Sequence, residues 1–184
     1  MKYIFFYFLF TLLGCHENTK STTPVKQKLY DYDIESRLKE LGVELPIMTK
    51  PIANYVHAVK TGNLVFLAGK GPRDQEGNII KGKLGKDITI EKAYGAARNV
   101  AISQLGALKS EIGDLNKVVR IVKVLGMVNA TEDFGNQPEV INGFSDFIVE
   151  VFGERGKHAR AAVGMSSLPR NMVCEIEMIV EIQE

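Results

Sequence analysis

Residues 87–128 read DITIEKAYGAARNVAISQLGALKSEIGDLNKVVRIVKVLGMV, and the fold turns on this stretch. Its first half sets Ala93, Ala97, Val100, Gln104 with Leu105, Leu108 and Ile112 close to a 3.6-residue period, which predicts a helix with one buried stripe. Asp87 and Thr89 are candidate N-caps, and Gly113 is the stop. The small residues Ala96, Ala97, Ala101, Gly106 and Ala107 allow close packing on a sheet. Val118 to Val128 is apolar on both faces, so it is expected to be a central, covered strand.

Working outward toward the C-terminus, a second helix is expected from about Pro138 to Phe152, carrying Val140, Ile141, Phe144, Ile148, Val151 and Phe152. Two strands follow, Ala159–Met165 and Met172–Ile182, joined through Leu168-Pro169-Arg170-Asn171. Toward the N-terminus, Tyr55–Lys60 and Asn63–Ala68 read as a hairpin turning at Thr61-Gly62. Gly69 to Gly85 is loop, with a short strand near Ile79–Ile80, and Asp33 to Leu41 is a short helix stopped by Gly42 and Pro46. The order β-β-α-β-α-β-β lacks repeated βαβ units. It predicts an α+β domain with a mixed sheet and two long helices on one face. The other face then needs a cover, and its apolar residues point to an oligomer.

The 184 residues give room for one domain with a real core. Hydrophobic residues make up 45%, charged residues 24%, and the formal net charge is +1, with no basic stripe for a phosphate backbone. Nucleic acid is not an expected partner. Cys15 and Cys174 sit in unrelated settings and support no disulfide framework, Cys174 reading as an inert strand cysteine. His16, His57 and His158 are scattered, so no metal is expected. Gly69-Lys70-Gly71 lacks the third glycine of a dinucleotide loop, Lys81-Gly82-Lys83 lacks P-loop spacing, and Glu132 and Asp133 read as loop.

Lys2 and the ten-residue apolar run Ile4–Leu13 have the form of a secretory signal, too short to span a bilayer comfortably. The run ends Leu12-Leu13-Gly14-Cys15, which resembles the lipobox of bacterial lipoproteins. That resemblance implies a signal peptide over residues 1–14, acylation of Cys15, a polar tether over 15–29 and the domain over 30–184. The expected location is the bacterial cell envelope, lipid-anchored to a membrane on its periplasmic or outer face. The alternatives are an uncleaved signal anchor, or a cut elsewhere that loses Cys15.

Gly69-Lys70-Gly71-Pro72, Leu168-Pro169 and Glu175-Ile176-Glu177, in this order and spacing, resemble the Rid/YjgF family. Longer strings are similar to its endoribonuclease L-PSP-like subgroup: Ala93-Tyr94-Gly95-Ala96-Ala97-Arg98-Asn99, Gly113-Asp114-Leu115, Arg120-Ile121-Val122-Lys123-Val124, Val151-Phe152-Gly153-Glu154 and His158-Ala159-Arg160-Ala161-Ala162-Val163-Gly164. The resemblance runs from about Leu38 to the C-terminus. It implies a chorismate-mutase-like fold and a homotrimer with three ligand sites in the clefts between subunits.

Arg160 lies in the small, apolar strand Ala159 to Val163, where a charge is expensive unless paired. Its planar fork suits a carboxylate. By resemblance it matches the arginine that grips the carboxylate of a 2-imino or 2-enamino acid; the alternative is a structural pair with a neighbouring subunit's Glu. Glu175 matches the carboxylate that positions or activates the hydrolytic water. Period-two alternation sets Glu175 and Glu177 on one face, and a carboxylate near Arg⁺ is expected to stay ionised. The alternative for that face is a solvated or interfacial one. By resemblance Tyr55 matches a cleft-lining ring, the alternative being an aromatic packed on the sheet. The backbone of Ala68 and Gly69 is expected to approach the ligand, the alternative for Gly69 being a turn glycine.

Ala162 departs from the family pattern, since many of its deaminases carry cysteine there. A role for that thiol is lost, whereas a backbone carbonyl would be retained. The implied activity is hydrolysis of a small 2-imino acid to a 2-oxo acid and ammonia, with no metal or organic cofactor. The alternative is a non-catalytic small-molecule-binding trimer using the same cleft. A ribonuclease ranks last, for want of a His pair or basic groove.

Overall fold

Asp33 accepts the Ser36 backbone N–H at 2.8 Å and so starts the first helix, α1 (Ile34–Glu40). The structure, a computed structural model, describes residues 28–51 and 53–183. The expected signal peptide, Cys15 and the tether up to residue 27 lie outside the described residues. Leu29, at the end of the expected tether, already packs against the core, and its carbonyl accepts from Arg155 Nε at 3.1 Å. Among the described residues no helix is long and apolar enough to cross a membrane.

After α1 come β1 (Ala58–Thr61), β2 (Leu64–Lys70), α2 (Ile90–Ile112), β3 (Val118–Asn129), α3 (Gln137–Phe152), β4 (Ala159–Met165) and β5 (Cys174–Ile182). The hairpin loop is Gly62-Asn63, with Thr61 still paired to Leu64, so the turn falls one residue later than Thr61-Gly62. Gly62 takes the first central position at φ +56°, which a side chain would resist. Thr89, not Asp87, caps α2, accepting the Lys92 N–H. Near Ile79–Ile80 there is no strand, but isolated bridges Arg73↔Ile79 and Lys81↔Met172, with the Ile80 N–H donating to the Pro72 carbonyl and the Ile80 carbonyl accepting from the Val173 N–H.

The five strands form one mixed sheet in the order β1-β2-β5-β3-β4, antiparallel except for β3 beside β4. Along β5, Cys174, Ile176, Met178, Val180 and Ile182 are buried, while Glu175, Glu177, Ile179 and Glu181 are not. That period of two identifies one covered face and one open face. The cover is α2 and α3, which pack on the sheet and on each other. They approach closely because α3 carries Gly143, where a Cβ would run into the Tyr94 carbonyl of α2. The core between the layers holds Phe144, Phe147, Phe152, Leu105, Leu108, Ile141 and Ile148, all essentially free of solvent. On the open face Val59, Phe66 and Val163 remain exposed. The chain is thus an α+β fold with a mixed sheet.

Candidate functional site

The site begins with a break in the sheet. Between Leu67 and Lys70 the β2–β5 register shifts, a bulge that interrupts the ladder beside Ala68. Gln104, fully buried on α2, fills the gap: its Nε2 donates to Ile176 O at 2.6 Å and to Ala68 O at 3.0 Å. One side-chain amide therefore satisfies two buried acceptors and ties the helix to both strands. Ala68 is further held by its N–H, which donates to the His57 carbonyl at 3.0 Å.

Gly69 follows within the bulge, and here the missing side chain matters. A Cβ at this position would occupy the place of Glu175 Oε1, and would lie 3.1 Å from its Cγ and Cδ. Glycine thus creates the notch in which the Glu175 carboxyl rests. That carboxyl is half-buried, and burial, with Glu177 nearby, holds it above the ordinary glutamate value of 4.5. A group so placed is suited to accept a proton from water and return it later.

Glu175 and Gly69 line a cavity of about 540 Å³, together with Tyr55, His57, Lys70 and the segment from Pro46 to Pro51. Tyr55 stands at its rim, more than half exposed, its ring edge-on to His57 with centroids 6.4 Å apart. Arg160 and Ala162 do not line this cavity. Both lie on β4, on the helix-covered side of the sheet, Ala162 packing against the core.

Arg160 Nη1 donates to Asn142 Oδ1 at 2.9 Å and to Ser145 Oγ at 3.0 Å, both on α3. Ser145 Oγ is 3.0 Å from His158 Nε2, and His158 Nδ1 is 2.7 Å from the Gly156 carbonyl. The carbonyl can only accept, so Nδ1 carries the ring proton, and Ser145 donates to Nε2 while accepting from Arg160. Burial keeps His158 below its ordinary value, which fits a neutral ring. The network fixes the guanidinium through neutral partners. Among the described residues no carboxylate forms an ion pair with it.

Within one chain, then, Tyr55, Gly69 and Glu175 come together, and Arg160 with Ala162 stands apart. A carboxylate kept ionised by a nearby Arg⁺ is not what one chain contains, because Arg160 and Glu175 lie on opposite faces with β3 between them. Cys174 is fully buried and burial pushes its thiol up to about 12, which makes it unreactive. Among the described residues no group of His, Cys, Asp and Glu is arranged to hold a metal ion.

The expectations from sequence omitted Gln104 as a positioning group, the Lys70–His57 contact, and the Asn142–Ser145–His158 support of Arg160. The first had a visible signal, a polar residue in an otherwise apolar helical stripe. The others depend on hairpin register and on the approach of α3 to β4.

The sequence and the mixed-sheet α+β fold together match a known family. The family model described as "YjgF/chorismate_mutase-like, putative endoribonuclease" matches residues 35–182, and the chain belongs to that family. Protein TCP17 of Trypanosoma cruzi is 37% identical over 150 residues, covering 81% of this chain and 94% of its own. A protein of unknown function from Agrobacterium tumefaciens has a crystal structure that superposes with a TM-score of 0.75 at 44% identity, covering 82% of this chain and 94% of that one. The 2-iminobutanoate/2-iminopropanoate deaminase of Dermatophagoides farinae is 26% identical, covering 77% of this chain and 95% of its own.

Proposed function

We propose that this protein hydrolyses a small 2-imino acid to the 2-oxo acid and ammonia, in a site completed between copies of a trimer. The observation that carries the reading is the Glu175 carboxyl, seated against Gly69 inside the cavity and held above its ordinary value. Arg160, fixed by Asn142 and Ser145 and lacking a carboxylate partner, supplies the complementary group from a second copy. The open sheet face with Val59, Phe66 and Val163 supports the association. The named activity of the Dermatophagoides farinae relative supports the chemistry.

In this scheme the guanidinium grips the substrate carboxylate and fixes C2 over Glu175. Glu175 takes a proton from water as the oxygen bonds to C2, the C=N π electrons move to nitrogen, and Glu175 passes that proton to the nitrogen, giving a 2-hydroxy-2-amino acid. Glu175 then takes the hydroxyl proton as the C=O forms and the C–N bond breaks, and gives it to the departing nitrogen, which leaves as ammonia. Water is the only co-reactant. Ala162 can contribute no thiol, so only its backbone is available to hold the water. We further propose that Cys15 is the acylated mature N-terminus, tethering the domain to the cell envelope; Cys15→Ala should then accumulate as an unlipidated precursor.

The test is to generate 2-iminopropanoate or 2-iminobutanoate in situ, add the purified protein, and follow loss of the imine. Wild type should accelerate it, and Arg160→Lys should lose about 2–4 kcal/mol of transition-state stabilisation, roughly 30- to 1,000-fold in rate. No acceleration, with 2-oxo acid binding retained, makes the protein a binder instead. Full activity in Arg160→Ala removes the site assignment.

A further inference from the structure

Lys70 shares the cavity with Glu175 and has no counterion among the described residues. Its Nζ lies 3.0 Å from His57 Nδ1, and His57 Nε2 lies 2.7 Å from the Thr49 carbonyl. The carbonyl only accepts, so Nε2 bears the ring proton and Nδ1 offers its lone pair to Lys70. The imidazole therefore takes one ammonium N–H and leaves the other two. Among the described residues the ion pairs are Arg37–Glu40, Lys109–Glu35, Arg120–Glu181 and Lys157–Glu154, and none involves Lys70. The cavity lining is lopsided in charge, with Lys50, Lys70, Arg73 and Arg170 against Glu175 alone. Burial holds Lys70 below the ordinary lysine value, the direction expected of an ammonium with no anion beside it.

We infer that Lys70, positioned by His57, is a second anion-binding group of the cavity, and that the substrate class is a 2-imino acid whose side chain ends in a carboxylate. This rests on the reading above, in which Arg160 of a second copy takes the carboxylate next to C2. One carboxylate on a short side chain matches the two N–H donors that His57 leaves free. A purely apolar side chain would leave the ammonium half-buried and unpaired, which is costly.

The experiment measures binding of two product-like acids of equal chain length, 2-oxoglutarate and 2-oxopentanoate, to the purified protein by calorimetry. Wild type should bind 2-oxoglutarate about ten- to a hundredfold more tightly, the range of one charge-assisted contact. Lys70→Met should erase the preference by weakening 2-oxoglutarate, with 2-oxopentanoate bound at least as tightly as by wild type; Lys70→Arg should keep most of the preference, and Arg160→Ala should weaken both acids alike. Equal affinities in wild type, or a preference that survives Lys70→Met, overturns the inference while leaving the imine hydrolysis reading intact. Failure of both acids to bind wild type removes that reading and the inference together.

Discussion

Mixing two inactive variants should regenerate activity, because the two principal groups cannot meet within one chain. Arg160 pairs in register with Val124, and Val124 with Met178, three residues beyond Glu175 on β5. Two strand spacings sideways and three residues lengthwise put the Arg160 and Glu175 Cα atoms roughly 14 Å apart. Their side chains also leave opposite faces of the sheet. A small imino acid spans less than half that distance, so a site using both groups must draw them from different copies. Arg160→Ala and Glu175→Gln, each purified separately, should be nearly inactive. After subunit exchange at a 1:1 ratio in a ring of head-to-tail contacts, about a quarter of the clefts receive one intact Arg160 and one intact Glu175. Imine loss should therefore recover to about a quarter of the wild-type rate, with exchange verified by a mass tag on one variant. Complete exchange with no recovery would refute the composite site.

Four further outcomes follow from the same geometry. Gln104→Met strands the Ala68 and Ile176 carbonyls but also removes the buried, unpartnered Oε1 of Gln104, for a net cost of about 2 kcal/mol in urea unfolding at fixed protein concentration; a change below about 0.5 kcal/mol would discount the amide's role. Gly69→Ala should cost about 1 kcal/mol or less, because the mobile end of Glu175 can swing away, yet should cut turnover at least about tenfold; full turnover would place Glu175 outside the chemistry. Gly143→Ala meets the Tyr94 backbone instead, and should destabilise by about 2 kcal/mol or more; an unchanged urea midpoint would contradict the close α2–α3 approach. Glu175 is raised in the folded state, so its contribution to stability is present below the unfolded carboxylate range and is lost as pH rises through the folded value. Glu175→Gln should accordingly be more stable than wild type at neutral pH, with the advantage vanishing at acid pH; a pH-independent difference would remove burial as the cause.

Much of the framework was legible because periodicity reports burial directly. The stripe from Ala93 to Ile112 lies against the sheet as a 3.6 period requires, and the alternation along β5 separates Glu175 from Cys174. Boundaries moved where local chemistry has close competitors. Asp87 could cap a helix, but Thr89, two residues nearer, takes the position by accepting the Lys92 N–H. Met172 and Val173 continue the apolar pattern, yet β5 starts only at Cys174, after two successive residues at positive φ, Arg170 and Asn171. The supports of the site were harder to read. Lys70 and His57 meet only through hairpin register, and Asn142, Ser145 and His158 become a network only when α3 lies along β4. Local propensity carries no trace of either.

The cavity also stands out on physical grounds that owe nothing to relatives. Elsewhere the core is largely apolar, and the strand irregularities are register shifts in the β3–β5 ladder at Val118/Arg120 and Ile121/Lys123. Around the cavity the local rules fail together. A bulge interrupts β2, a fully buried glutamine reaches into the gap, and a glycine leaves a notch for a carboxyl raised by burial. Arg170 holds φ +56°, a conformation costing a non-glycine residue on the order of 1–2 kcal/mol, and Lys70 is half-buried with no counterion among the described residues. Each departure sacrifices some stability, and scattered over the molecule they would read as unrelated defects. Converging on one cavity of about 540 Å³, they are the pattern expected where a sequence gives up folding consistency for a site that must hold charge and a ligand.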